Sequence, residues 1–274
     1  MNTERSLRIL AIGAHPDDCD IKVGGCAILW ARLGWAVKFV SVTNGDAGHH
    51  ELSGEALADR RKREADAAGQ VAGIEYEVLD NPDGKLEPGL EERWQILRQI
   101  RAFRPDMILT HRPNDYHPDH RYTSQLVQDC SYLMGVPNIC PESPRLETAP
   151  VIAYFADEFR KPIPFQPDVA VGIDSVMEAK LQMLECHESQ FFEWLPWIDR
   201  HGIEMPEDPA LRLAALSRFA RGFSRPNELT RRFLIRYYGD GEGAAIVNAE
   251  SFEASEYGAP LDEAAIARLF PFFG

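Results

Sequence analysis

Cysteine is scarce in this chain. There are five in 274 residues, the count is odd, and no C-x-x-C pair occurs. That argues against a disulfide framework or a structural zinc knuckle and leads us to expect a reducing compartment. Long apolar runs are missing as well. No stretch approaches the ~18 apolar residues that span a bilayer, and no apolar leader precedes the first strand-like run. The chain therefore reads as cytoplasmic, with no membrane partner. Positive charge is in deficit, with 29 Lys and Arg against 43 Asp and Glu, a net charge of −14. Such a surface repels a polyanion, so nucleic acid is not an expected partner. The G-x-G-x-x-G fingerprint of a dinucleotide-binding turn is also absent. Acidic groups fill the turn where it would stand, and they would repel a pyrophosphate.

What is present is an ordinary globular composition, 45% hydrophobic and 26% charged. Leu7 to Gly13 (LRILAIG) is a short apolar run closed by glycine, which predicts a buried strand. Further strands are predicted at 37–43, 75–79, 106–110, 151–155 and 169–173. Helices are predicted from Gly24-Gly25 to about Gly34, and over 56–72, 91–103, 175–188 and 208–222. FLIRYY (233–238) and AIVNAESF (245–252) look strand-like. Strands alternating with helices at this spacing build βαβ units. The expected fold class is α/β: a Rossmann-like, mostly parallel sheet with helices on both faces, plus a C-terminal elaboration. One domain over 1–274 is expected, with a core of about 7–190 and an extension of about 191–274.

Ligands in such sheets bind outside the carboxyl ends of the strands. Two chemically dense loops fall there: AHPDD (14–18) after the first strand and HPDH (117–120) after the fourth. Adjacent carboxylates repel unless something positive lies between them. His15 and Asp18, three apart in a turn closing onto a helix, can point the same way, which leaves Asp17 free to take a proton from water. Alternatively Asp17 or Asp18 simply caps the helix. In HPDH, Pro118 suits a first helical turn and puts His117 and His120 on one face. One of the two can bind a metal while the other faces substrate, and Asp119 can fix an imidazole tautomer. Together the loops predict a metal hydrolase.

These motifs, with GG at 24–25, TNGDAG at 43–48, R-x-x-E from Arg61 to Glu64, DG at 83–84 and K-x₆-H-x-S-Q from Lys180 to Gln190, resemble those of the LmbE-like deacetylases. That family includes the N-acetylglucosaminyl-phosphatidylinositol de-N-acetylases. The resemblance implies a zinc-dependent removal of an N-acetyl group from an N-acetylglucosamine-type sugar, giving acetate and a free amine. It implies that His15, Asp18 and His120 bind Zn2+ (iron(II) suits the same donors) and that Asp17 is the general base. His117 would stabilise the oxyanion or protonate the amine, with Asp119 orienting it. One departure stands out: Cys19 occupies a position where many members carry glutamate. It either packs as a small hydrophobe or closes the metal's open position.

Arg61 is expected either to reach substrate hydroxyls or to lie on a solvated helix face with pairs such as Arg60–Glu64. His111, directly after the fourth strand, is expected to line the site or to support it. His49 and His50 are expected to be solvent-exposed, and His187 structural. FFEWLPW (191–197) suits a homo-oligomer contact or a pocket wall. Two other function classes fit less well. A non-catalytic sugar-binding protein would have lost a ligand or the base, and a metal-dependent phosphoesterase commonly needs two metals about 3.5–4 Å apart.

Overall fold

The structure, a computed structural model, describes residues 6–199 and 208–273. Arg8–Gly13 forms β1. Ile9 and Ala11 pack into one core while Leu10 and Ile12 pack into another, as the two-residue period of a strand requires. With both faces covered, the strand is apolar throughout rather than alternating.

The chain continues through α1 (Asp18–Arg32), β2 (Ala36–Thr43), α2 (Glu55–Ala72), β3 (Glu75–Asn81), α3 (Leu90–Phe103), β4 (Met107–Thr110) and α4 (Pro118–Leu133). Then come β5 (Val151–Phe155), β6 (Val169–Gly172), α5 (Met177–Glu185), a π-helical turn over Ser189–Trp194, and α6 (Leu195–Asp199). The last described part holds α7 (Pro209–Ser224), α8 (Glu228–Ala245), β7 (Ala249–Gly258) and α9 (Glu263–Leu269). Among the described residues, no helix is long and apolar enough to cross a membrane.

The strands form one seven-stranded sheet in the order β3-β2-β1-β4-β5-β7-β6. Strands β3, β2, β1, β4 and β5 are parallel, and β7 runs antiparallel to β5 and β6. The mostly parallel α/β sheet is thus as expected. The chain winds outward from β1 to β2 and β3, then returns to place β4 on the other side of β1. The strand order reverses between β1 and β4, and that reversal opens a crevice at their carboxyl ends.

Three readings of the sequence need correction. First, α1 starts at Asp18 and not at Gly24. The two glycines lie inside the helix, where a Cβ on Gly25 would meet Ile173 at 2.8 Å. Second, FLIRYY lies in α8. Its β-branched and aromatic residues mimic a strand, but Asn227 accepts the Thr230 amide as a helix N-cap, and Leu234 is buried in a small core with Ala170, Ile246 and Ala249. Packing has overridden local propensity. Third, the last strand begins at Ala249, and it lies inside the sheet, between β5 and β6, rather than outside it.

β7 also reaches the N-terminal helix. Glu250 accepts the amides of Gly25 (2.8 Å) and Cys26 (2.7 Å) and pairs with Lys180 (2.7 Å), whose Nζ also donates to the Ile21 carbonyl (2.7 Å). A buried ion pair thus adds a partner to the Gly25 amide and to the Ile21 carbonyl, both inside α1.

Candidate metal centre

Loops after β1, β2, β3 and β4 converge on the crevice. Ala14 is pinned by β2: its carbonyl accepts from the Thr43 amide and hydroxyl, both at 2.8 Å. The chain then turns through His15-Pro16-Asp17 into α1. Asp17 stands at the N-cap with φ 150°, in the left-handed region, and its side chain makes no capping hydrogen bond. The Asp18 carboxylate accepts the His15 amide at 2.7 Å. Neither aspartate therefore spends its carboxylate on capping the helix.

The three residues close into a triangle, in which Asp18 turns one carboxylate oxygen to each imidazole. His15 Nδ1 lies 3.4 Å from Asp18 Oδ2, His120 Nε2 lies 3.4 Å from Asp18 Oδ1, and the two nitrogens are 3.3 Å apart. A tetrahedral zinc site with bonds of about 2.0–2.1 Å has donor–donor edges of about 3.3–3.4 Å. The residues thus fit a single cation. Their outer atoms are held too. His15 Nε2 faces Asp119 Oδ2 (3.3 Å) and Asp83 Oδ1 (3.2 Å), and His120 Nδ1 faces Asp115 Oδ1 (3.1 Å). Carboxylates in this position fix a ligand's tautomer and raise its basicity.

Electrostatics agree. Burial opposes protonation of His120, but Asp18 and Asp115 outweigh it and lift its pKa to about 9. His15 is raised in the same way: burial opposes, and Asp119, Asp18 and Asp83 prevail. Burial also opposes ionisation of Asp18, yet His120 and His111 hold it well below the usual carboxylate range. The pocket calls for positive charge at its middle.

Asp17 differs from Asp18. Burial pushes its pKa up to about 6, against the pull of Arg61 and with the repulsion of Asp18. Arg61 does not lie on a solvated helix face. It is 2% exposed, donates to the Pro16 carbonyl at 2.9 Å and pairs with Asp17 Oδ2 at 3.3 Å. It braces Asp17 from below, while the Arg60–Glu64 pair forms at 3.1 Å. Gly45 makes room for it. With φ +71°, a Cβ there would stand 2.5 Å from Arg61 Nη1. Gly45→Ala is expected to cost about 1–2 kcal/mol from the left-handed backbone alone and to push Arg61 off Asp17; an unchanged urea midpoint would refute this.

His117 is the N-cap of α4, and its Nδ1 accepts the Asp119 amide at 3.2 Å. In that tautomer Nε2 carries the proton. Burial, His15 and His120 all lower its pKa. The role expected for Asp119 also changes. Its backbone orients His117, whereas its carboxylate serves His15 and the Gly84 amide (2.7 Å).

His111 lies behind the triangle, not in the open. It stacks on His120 with ring centroids 4.1 Å apart and accepts the Ala14 amide at 3.1 Å. Burial, then His120, lowers its pKa to about 4. Cys19 points into the core beside Gly13, and burial, with Asp20 and Asp18, pushes its thiol up, so it offers no thiolate. His187 is fully buried against Asp20 at 3.1 Å. His49 departs from expectation: it is buried, with Nε2 2.8 Å from Glu193, whereas His50 is exposed. The sequence reading missed Asp83 and Asp115. The turn glycine after Asp83 and the proximity of Asp115 to HPDH were the available signals.

Comparison with known proteins places these features in a wider set. Residues 10–131 match the family model described as GlcNAc-PI de-N-acetylase. A diacetylchitobiose deacetylase of Thermococcus kodakarensis is 32% identical over 221 residues, 76% of this chain and 76% of that protein. A 4-oxalmesaconate hydratase of Pseudomonas putida is 25% identical over 71% of this chain and 78% of its own length. The solved N,N'-diacetylchitobiose deacetylase of Pyrococcus horikoshii shares the fold, with TM-score 0.68 and 24% identity, covering 92% of this chain and 85% of that one.

Proposed function

This chain belongs to the GlcNAc-PI de-N-acetylase family, and from that premise we propose that it is a zinc-dependent hydrolase. It removes the N-acetyl group of an N-acetylglucosamine-type sugar and releases acetate and a free amine. The observation that carries this reading is the donor triangle of His15, Asp18 and His120 with a buried Asp17 beside it that is braced by Arg61 and caps no helix. The deacetylase relative shares more of its sequence with this chain than the hydratase relative does.

His15 Nδ1, the Asp18 carboxylate and His120 Nε2 would hold the ion. Zinc in such a set acidifies a water and polarises a carbonyl. The Asp17 carboxylate takes the proton of the attacking water, and its raised pKa makes it a better base than a solvated aspartate. Arg61 and the Pro16 carbonyl keep that carboxylate in place. His117 Nε2–H donates a hydrogen bond to the developing oxyanion while the Asp119 amide fixes the ring, and the proton that Asp17 has taken passes to the departing nitrogen. Asp83 and Asp119 keep His15 from turning.

The reading is tested by acetate release over a panel of N-acetylated amino sugars. We expect release from at least one member, loss of more than 90% of it on chelation (about tenfold or more, as for a lost Lewis acid), and recovery with added zinc. No acetate from any sugar with metal restored sinks the reading. Hydration of an unsaturated diacid by the same preparation would favour the hydratase relative's chemistry instead.

A further inference from the structure

The loop that carries HPDH also carries an aromatic ring that the hydrolytic reading leaves unused. Tyr116 is 74% exposed, although it stands against two histidines of the centre. Its ring centroid lies 5.8 Å from that of His117, at 89°, and 5.7 Å from that of His120, at 72°. An aromatic ring left in water beside a buried polar cluster is informative when the chain holds it there. Here the backbone is tied down. Arg121 Nη1 donates to the Asp115 carbonyl (2.7 Å) and the Tyr116 carbonyl (3.1 Å), and the Asp115 carboxylate accepts the His117 amide (2.9 Å).

A second ring extends this surface. Phe159, in the loop between β5 and β6, lies 6.1 Å from Tyr116 at 46°. That loop is fastened to the end of β4. Arg112, the buried residue after His111, pairs with Asp157 at 3.0 Å and donates to the Ile163 carbonyl at 2.7 Å. The Asp157 carboxylate accepts the Phe159 amide at 3.0 Å, and Lys22 donates to the Ala156 carbonyl at 2.9 Å. The Asn114 side chain donates to the Lys161 carbonyl. Both rings are thus set before any ligand arrives, which lowers the ordering cost of binding.

We propose that Tyr116, backed by Phe159, is the face on which the pyranose of the reacting unit lies, and that it selects a cyclic amino sugar over an acyclic amide. The inference rests on the deacetylase reading for the reaction. A carbonyl within reach of both the ion and His117 Nε2 stands beside the His117 and His120 rings, so the groups attached to it come up against Tyr116. Two groups leave that carbonyl, a small methyl and the nitrogen with its sugar ring. An enclosed wall would suit the methyl. Tyr116 lies mostly in water, so it suits the bulky side. The C–H face of a pyranose covers an aromatic ring while its hydroxyls stay solvated, and the ring face of the tyrosine, not its hydroxyl, makes the contact.

The test uses the zinc-loaded full chain and compares acetate release from N-acetylglucosamine, which has the ring, with release from N-acetylethanolamine, which does not. Tyr116→Ala is expected to raise KM for N-acetylglucosamine by roughly tenfold, the worth of one good aromatic contact, with little change in kcat. Tyr116→Phe should recover most of that loss, and Phe159→Ala should give a smaller rise in the same direction. KM for N-acetylethanolamine should not follow. Zinc content is measured in each variant, because a tyrosine that merely held His117 and His120 in place would cost metal, and kcat on both amides. Saturation-transfer NMR with methyl β-glucosaminide, which has no acetyl group to lose, reads the contact without turnover. Transfer to its ring C–H protons that Tyr116→Ala loses supports the face even if no amide is hydrolysed, an outcome that sinks only the deacetylase reading. No transfer in the wild type, an unchanged KM for N-acetylglucosamine in Tyr116→Ala, an equal loss on both amides, or a loss in Tyr116→Phe as large as in Tyr116→Ala overturns the proposal.

Discussion

Asp17→Asn is expected to reduce acetate release by about 10²–10⁴-fold, the usual worth of a positioned general base, while zinc content stays at one ion per chain. Asparagine keeps the size of the side chain and can still accept from Arg61, so the strained turn at φ 150° has what it needs to form. Asp17 is outside the donor triangle, and the three residues that would hold the ion are untouched. What is lost is the capacity to take a proton. Steady-state kcat together with metal analysis decides the matter. A metal-replete variant within tenfold of the wild type would remove Asp17 from the mechanism, and loss of the metal would make it a ligand.

The second large effect is on stability. Lys180→Met is expected to destabilise the protein by about 3–5 kcal/mol, the cost of leaving a buried charge without its partner. Glu250 would remain in the interior with only the Gly25 and Cys26 amides to hold it, and the Ile21 carbonyl would lose the Lys180 ammonium. At about 2–4 °C per kcal/mol for a chain of this size, Tm should fall by roughly 10 °C. Adding Glu250→Gln should restore part of the loss, because a neutral amide in that position costs less than an unpaired carboxylate. A Tm for Lys180→Met within about 2 °C of the wild type would show that the pair contributes little.

The parts of the molecule that were legible in the sequence are those whose signal is local. The apolar runs of β1 and β4 end directly in AHPDD and near HPDH, so the strand period and the donor residues lie side by side in the chain. The topology then has only to bring two loop ends together. The supporting groups are another matter. Asp83 comes from the loop after β3, and Glu250 lies 225 residues from the amide it accepts. A single carboxylate carries no periodicity, and only the turn glycine beside Asp83 gave a signal. The role of Asp119 turned on a rotamer, since its amide and its carboxylate serve different histidines. Arg61 sits among charged neighbours, which left a substrate contact and a solvated face both open, and its partners Pro16 and Asp17 with the space at Gly45 reveal that it turns inward. In FLIRYY, local composition pointed the wrong way because packing on Ala170 and Ile246 favours the helix.

The place of β7 sets an order of events at the ribosome. Both histidine motifs emerge within the first 120 residues, but β5 and β6 have no common neighbour until residues 249–258 follow. Until then Lys180 waits for its carboxylate, and the helix that carries Asp18 lacks its lock. A nascent or prematurely terminated chain thus holds every residue of the hydrolytic apparatus without the strand that sets it in register. The helix that carries Asp18 is locked only once residues 249–258 have paired.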